Sequence, residues 1–186
     1  MKTVFADAGY WIAILNPADD LRAKAASLSN SLEPFQIVTS EMVFTEVLNS
    51  FSKRESAFRQ AAAQFVKQSF DNLKIEVVPQ TSDLFRQSLD LYEQRADKAW
   101  SHTDCDSFCI MQQRNILEAL THDRHFEQAG FIALLRQGKH RPPIPTIRPL
   151  ISAFRPLISK LHLLNLALRP QSLKLRLPNS KPRRGC

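Results

Sequence analysis

The chain has 186 residues, 44% of them apolar and 23% charged, a balance that fits a folded globular protein and excludes wholesale disorder. Its 25 lysines and arginines against 18 aspartates and glutamates give a formal charge of +7, but the sign is unevenly spread. Residues 1–138 hold 14 basic and 18 acidic side chains, a net of −4, whereas residues 139–186 hold 11 basic and no acidic ones, so a uniformly basic protein is excluded.

Eight of the eleven prolines also lie in the second part. Proline at that density removes amide donors and blocks long helices, so a boundary is expected near 138–141. Residues 1–138 then form one domain, and 139–186 a basic, Pro-rich tail expected to be disordered or weakly ordered. Three cysteines, Cys105, Cys109 and Cys186, are too few for a disulfide framework and point to a reducing compartment. An acid stands at position 7, and the longest early apolar run, Tyr10 to Leu15, has six residues. Neither a signal peptide nor a membrane span fits, and a cytoplasmic location is expected.

In chain order, Lys2 to Ala6 reads as a strand that ends at Asp7, and Ala8 to Leu15 as a short apolar helix stopped by Asn16-Pro17. A polar helix near 19–31 precedes a buried strand from Phe35 to Thr39. Ser40 then offers an N-cap for a helix from Glu41 to Phe51, with Glu46 midway along it. Phe58, Ala61, Ala62, Phe65, Val66 and Phe70 recur at helical spacing across 55–70, and Lys74 to Val78 is a strand closed by Pro79. Thr81 or Ser82 caps a helix reaching Arg95, another helix runs from about Asp104 to Arg114, and Ile116–Leu120 and Phe131–Leu135 complete the strands. Strands alternating with helices predict an α/β sandwich around a mainly parallel sheet, whose sites form outside the C-terminal strand edge. Asp7 and Asp123 both come just after strands.

Each acid has an ordinary explanation. Asp104 shares a helical stripe with Phe108 and Met111, which face the core, yet Ser101-His102-Thr103-Asp104 also fits a capping box. Asp106 lies about 200° round the helix from Asp104, which makes it a first-turn dipole residue and a fallback ligand should the helix start later. Asp7 and Asp123 could be helix caps, and Glu46, beside Val43, Val47 and Ser50, a solvated boundary residue. His102, Cys105 and Cys109, with His122 or His125 as a fourth ligand, raise structural zinc. The paired C-x-x-C spacing is missing, and cysteines on an inner helix face are ordinary core residues. His122 and His125 are otherwise read as surface residues or RNA contacts. With four glycines and no G-x-x-x-x-G-K-S/T loop, a glycine-rich phosphate cradle is unsupported.

Taken together, the acids recur in the order and contexts of a known family. Val4-Phe5-Ala6-Asp7 leads into a helix, and Ser40-Glu41-Met42-Val43-Phe44-Thr45-Glu46-Val47-Leu48-Asn49 carries the second acid. Trp100-Ser101-His102-Thr103-Asp104-Cys105 is followed by Ser107-Phe108, and Ala119-Leu120-Thr121-His122-Asp123-Arg124-His125-Phe126 by Gln128-Ala129-Gly130-Phe131. Over residues 1–138 the sequence resembles the PIN-domain ribonucleases, specifically the VapC-like toxins of bacterial toxin–antitoxin pairs. The resemblance implies a PIN-like three-layer sandwich, with Asp7, Glu46, Asp104 and Asp123 as catalytic and metal-binding acids and Thr103 orienting a water or phosphate. It also implies an RNA substrate, a small antitoxin partner seated in the acidic cleft, and a homodimer. Asp106 departs from the family pattern, in which this position is usually uncharged.

Two carboxylates about 4 Å apart at an effective dielectric of 20 repel by roughly 4 kcal/mol, so such a cluster needs a cation or a proton. All-oxygen ligands select a hard ion, Mg²⁺ or Mn²⁺, able to lower the pKa of bound water and offset charge on the departing oxygen. Without its four cluster acids the 1–138 segment holds 14 basic and 14 acidic groups, which removes the conflict between a net −4 and an RNA substrate. In the tail, Arg148-Pro149-Leu150-Ile151-Ser152 and Arg155-Pro156-Leu157-Ile158-Ser159 form an imperfect repeat, and Leu161–Leu168 could make two helical turns. The tail is either a functionless extension or an RNA contact, with contact to an antitoxin or another acidic surface ranked behind these. The expected activity is metal-dependent endoribonuclease chemistry; the alternative is a catalytically silent nucleic-acid or protein-binding module in which the acids are only caps.

Overall fold

The structure, a computed structural model, describes residues 2–31, 35–136, 159 and 163. The expectations for the tail therefore fall almost wholly outside the described residues. Strand β1 (Lys2–Ala6) is followed by α1 (Ala8–Leu15) and α2 (Arg22–Ser31), then β2 (Phe35–Ser40), α3 (Glu41–Ser50) and α4 (Ser56–Phe70). Next come β3 (Ile75–Val78), α5 (Ser82–Gln94), α6 (His102–Gln113), β4 (Glu118–Leu120), α7 (Arg124–Gln128) and β5 (Ile132–Ala133).

The strands form one parallel sheet in the order β3-β2-β1-β4-β5, with Phe5 opposite Val38 on one side of β1 and Ala119 on the other. Val4, Phe5 and Ala6 are all fully buried. Because successive side chains point to opposite faces, burial of all three means that both faces are covered, as a parallel sheet requires. Phe5 meets Phe126, which packs edge-on against Phe108, itself against Trp100 and Phe131. A second aromatic cluster joins Trp11, Tyr10, Phe44 and Phe65. Thr39 anchors it to the sheet, accepting from Trp11 Nε1 at 3.3 Å and donating to the Ala6 carbonyl at 2.9 Å. Helices on both faces of the sheet make the α/β three-layer sandwich that the alternation of elements predicts.

Local chemistry sets the boundaries. Ser40, Thr81 and Ser101 cap α3, α5 and α6 by accepting from Val43, Leu84 and Asp104 backbone N–H groups. Helices α6 and α7 end alike: Asn115 (φ 54°) and Gly130 (φ 91°) adopt left-handed backbone, and Ile116 and Phe131 N–H groups reach back to the Met111 and Phe126 carbonyls. These are Schellman closures, which turn the chain straight into the following strand. Ile116 is consumed by that closure, so β4 starts at Glu118 and is shorter than the sequence reading of 116–120; β5 likewise keeps only Ile132–Ala133 of 131–135. Among the described residues, no helix is long and apolar enough to cross a membrane.

Candidate active site

Strand β1 has β2 on one flank and β4 on the other, so the connections leave it in opposite directions and open a crevice at its C-terminal end. Asp7 sits there as the N-cap of α1, its Oδ1 accepting from Ala8 N at 2.7 Å. Its Oδ2 accepts from the Thr121 hydroxyl at 2.8 Å, and the same hydroxyl oxygen accepts from Asp123 N at 3.0 Å. One fully buried threonine thus ties the ends of β1 and β4 together. Burial pushes the Asp7 carboxyl up to about 7; the charges of Asp104 and Glu46 add to this, while the hydrogen bonds from Thr121 and Ala8 oppose it.

Glu46 projects from the middle of α3. Burial raises its pKa, with further upward pressure from Asp104 and Asp123 and a downward pull from its hydrogen bond with Thr103. Thr103, in the first turn of α6, therefore stands beside an acid of a different helix. Asp104 occupies the third position of α6 in a complete capping box: its backbone N–H donates to Ser101 Oγ at 3.0 Å, and its Oδ2 accepts from Ser101 N at 2.8 Å. The capping reading of Asp104 holds, and the same cap fixes a carboxylate whose charge also acts on Asp7 and Glu46. Asp123 caps α7, its Oδ1 accepting from His125 N at 2.8 Å.

Asp104, Asp123 and His125 each offer a ligand atom within 4.8 Å of the others. His125 Nδ1 lies 3.1 Å from Asp104 Oδ2 and 3.5 Å from Asp123 Oδ1. Among the described residues no lysine or arginine ion pair reaches these acids, and His125 supplies the basic contact. The structure thus draws Asp7, Glu46, Thr103, Asp104 and Asp123 into one electrostatically coupled site. Thr121 and His125 lie beside them; the sequence reading gave Thr121 no role and took His125 as a zinc-ligand candidate, a surface residue or an RNA contact. The available signal was Asp123-Arg124-His125 at a helix start, where a cap and a side chain in the first turn converge. His122 is exposed, its ring close to Gly9: a Cβ on Gly9 would meet His122 Nδ1 at 3.5 Å and, separately, Asp7 Oδ2 at 3.6 Å.

Asp106 differs from its expected role. Helix α6 begins at His102, so Asp106 lies beyond the first turn and is fully buried. It hydrogen-bonds the Ser40 hydroxyl, and the Gln80 amide, in the orientation that satisfies both its groups, donates to Asp106 Oδ1 at 2.8 Å. Burial raises its pKa against those two bonds and the nearby His102. It joins α6 to the cap of α3 and stays out of the acid cluster. The zinc combination does not assemble: His102 Nε2 bonds Ser88 at 2.9 Å, and neither Cys105 nor Cys109 joins the ligand group found among the described residues. Burial pushes the Cys105 thiol up to about 11, which disfavours a thiolate.

The family model of the PIN domain matches residues 4–132. The chain belongs to the PIN-domain family. This PIN domain is 28% identical over 129 residues to the 23S rRNA-specific endonuclease VapC20 of Mycobacterium tuberculosis, strains CDC 1551 and H37Rv, a match covering 69% of this chain and 95% of that protein. The crystal structure of VapC20, described as a sarcin-ricin loop cleaving toxin, aligns with a TM-score of 0.63 at 26% identity, covering 69% of this chain and 96% of VapC20. The PIN-domain match ends before the basic tail begins.

Proposed function

We propose that this PIN domain is a metal-dependent endoribonuclease that hydrolyses RNA phosphodiester bonds, acting as the toxin of a toxin–antitoxin pair. The observation that carries this reading is the convergence of Asp7, Glu46, Asp104 and Asp123 from four separate elements without a lysine or arginine counter-charge among the described residues, Asp7 being held near 7. Such a set fits a hard divalent cation: every carboxylate is an oxygen donor, and a cation relieves the repulsion that raises Asp7 and Glu46. Asp7, Glu46, Asp104 and Asp123 would hold Mg²⁺ or Mn²⁺, which supplies Lewis acidity and a water of lowered pKa. The protein's own groups do the positioning. Thr121 fixes one oxygen of Asp7, the capping box fixes Asp104, and the Thr103 hydroxyl beside Glu46 is placed to orient a water or a phosphate oxygen.

The activity in the name of VapC20 supports RNA as substrate and makes 23S rRNA the first RNA to test. On the same similarity we assign the chain an antitoxin that covers the acidic crevice, a cytoplasmic location, and a homodimeric state. Phe85, Leu89 and Tyr92, spaced i, i+4, i+7 on α5 and 45–49% exposed, supply an apolar face for self-association. Residues 1–138 form the nuclease and 139–186 an appendage. The competing reading, a silent binding module, draws on the fact that Asp7, Asp104 and Asp123 all serve as caps. One experiment separates the two: purified protein is incubated with RNA and Mg²⁺ or Mn²⁺ beside its Asp7→Asn and Asp104→Asn variants. The nuclease reading expects cleavage that both substitutions abolish in folded protein; the module reading expects none, or cleavage indifferent to both.

A further inference from the structure

We infer that His125 is a positioning residue of the acid cluster, its Nδ1–H bridging Asp104 and Asp123 and setting the separation of two carboxylates carried by different helices. The inference rests on the metal-dependent reading above. The backbone of His125 is fixed first, because its N–H donates to Asp123 Oδ1 at 2.8 Å in the cap of α7. The ring then turns toward α6, placing Nδ1 3.1 Å from Asp104 Oδ2 and 3.5 Å from Asp123 Oδ1. Both neighbours of Nδ1 are carboxylate oxygens, which only accept hydrogen bonds, so a bare nitrogen there would set its lone pair against theirs. Nδ1 therefore carries the hydrogen. Asp104 Oδ2 accepts from Ser101 N, and the His125 contact also falls on Oδ2, so both contacts restrain the same carboxylate oxygen. Partners that hold ligand carboxylates in this way commonly change metal affinity or activity by about 10- to 100-fold when removed. The ring is 18% exposed and Asp104 13%, so the shorter contact is sheltered from competing water, while Asp123, at 37%, is its open end.

Three substitutions separate this role from the others that a histidine could have. Asparagine places an amide N–H close to where Nδ1 stands; glutamine reaches the Nε2 position instead; alanine reaches neither. Mn²⁺ binding by titration calorimetry, together with thermal unfolding in the absence of metal, is measured on full-length wild type, His125→Asn, His125→Gln and His125→Ala. The expected result is Mn²⁺ affinity within about threefold of wild type for His125→Asn, and a loss of about 10-fold or more for His125→Gln and His125→Ala, each with a cooperative unfolding transition. Equal affinity in His125→Ala and wild type overturns the inference while leaving the metal site standing. Retention in His125→Gln with loss in His125→Asn also overturns it, assigning the role to Nε2. A wild-type chain that binds no Mn²⁺ overturns the metal-site reading and this inference together.

Discussion

Asp7 caps a helix and is at the same time coupled to the acids of two other helices. Its carboxyl is ordinary in the unfolded chain, at 3.8, and is lifted to about 7 in the fold by burial and by Asp104 and Glu46. Between those values the unfolded chain has released its proton and the folded chain retains it, so metal-free stability falls as pH rises from about 4 to 7 and levels off above. Glu46 and Asp106 shift in the same direction and add to the slope. Denaturant titrations without divalent ions should show a loss of about 2 kcal/mol or more across that interval. Asp7→Asn, which preserves the cap, should flatten much of it. A curve for Asp7→Asn as steep as wild type would contradict the assigned shift. Neighbouring acids on α6 should behave oppositely in activity. Asp104→Asn is expected to lower cleavage by about 100-fold or more, the order of magnitude for a preorganised electrostatic group, whereas Asp106→Asn, out of the cluster against Ser40 and Gln80, stays within about threefold; initial rates on one RNA check the pair.

At the scale of elements, the site depends on how α6 and α7 begin. Ser101→Ala removes the acceptor for Asp104 N–H and should cost about 1 kcal/mol in thermal or urea unfolding while lowering cleavage, since the same cap orients the Asp104 carboxylate. Leu89→Lys on the exposed face of α5 should shift light-scattering mass toward the monomer without unfolding the chain; an unchanged mass would place self-association elsewhere. Most elements were legible in the sequence because their apolar residues keep helical or strand periodicity over whole segments, as Phe58 to Phe70 do on α4. Helix α7 was not, since five residues are too few to establish a period, and its only signals are the Asp123 cap and Gly130. That omission explains why His125 was read as a surface residue. His125 lies 21 residues further along the chain than Asp104, and its approach depends on where a short helix starts. The start of α6 was read two residues late although the capping box at Ser101 was visible, and this hid the burial of Asp106. The acids of the cluster were legible only as a set, because each alone has a sufficient explanation as a cap or boundary residue.

For the whole molecule, the +7 charge is the sum of unlike parts: residues 1–138 at −4 and a tail at +11. The described core closes by Leu135 and the PIN-domain match at 132, so a chain ending near residue 140 should fold and cleave. Loss of eleven positive charges should weaken RNA binding at low salt and flatten its salt dependence; a truncated chain that precipitates or loses cleavage would show that the tail belongs to the domain. The central claim is that four acids, gathered at the C-terminal edge of the sheet, form a metal-dependent nuclease centre. It is tested most directly by timing RNA cleavage by the full-length wild type and by Asp7→Asn and Asp104→Asn, with Mg²⁺ or Mn²⁺ and with chelator, folding being confirmed by circular dichroism. Cleavage that requires the metal and disappears in both folded variants is the predicted result; cleavage that persists in chelator or in either variant would contradict it.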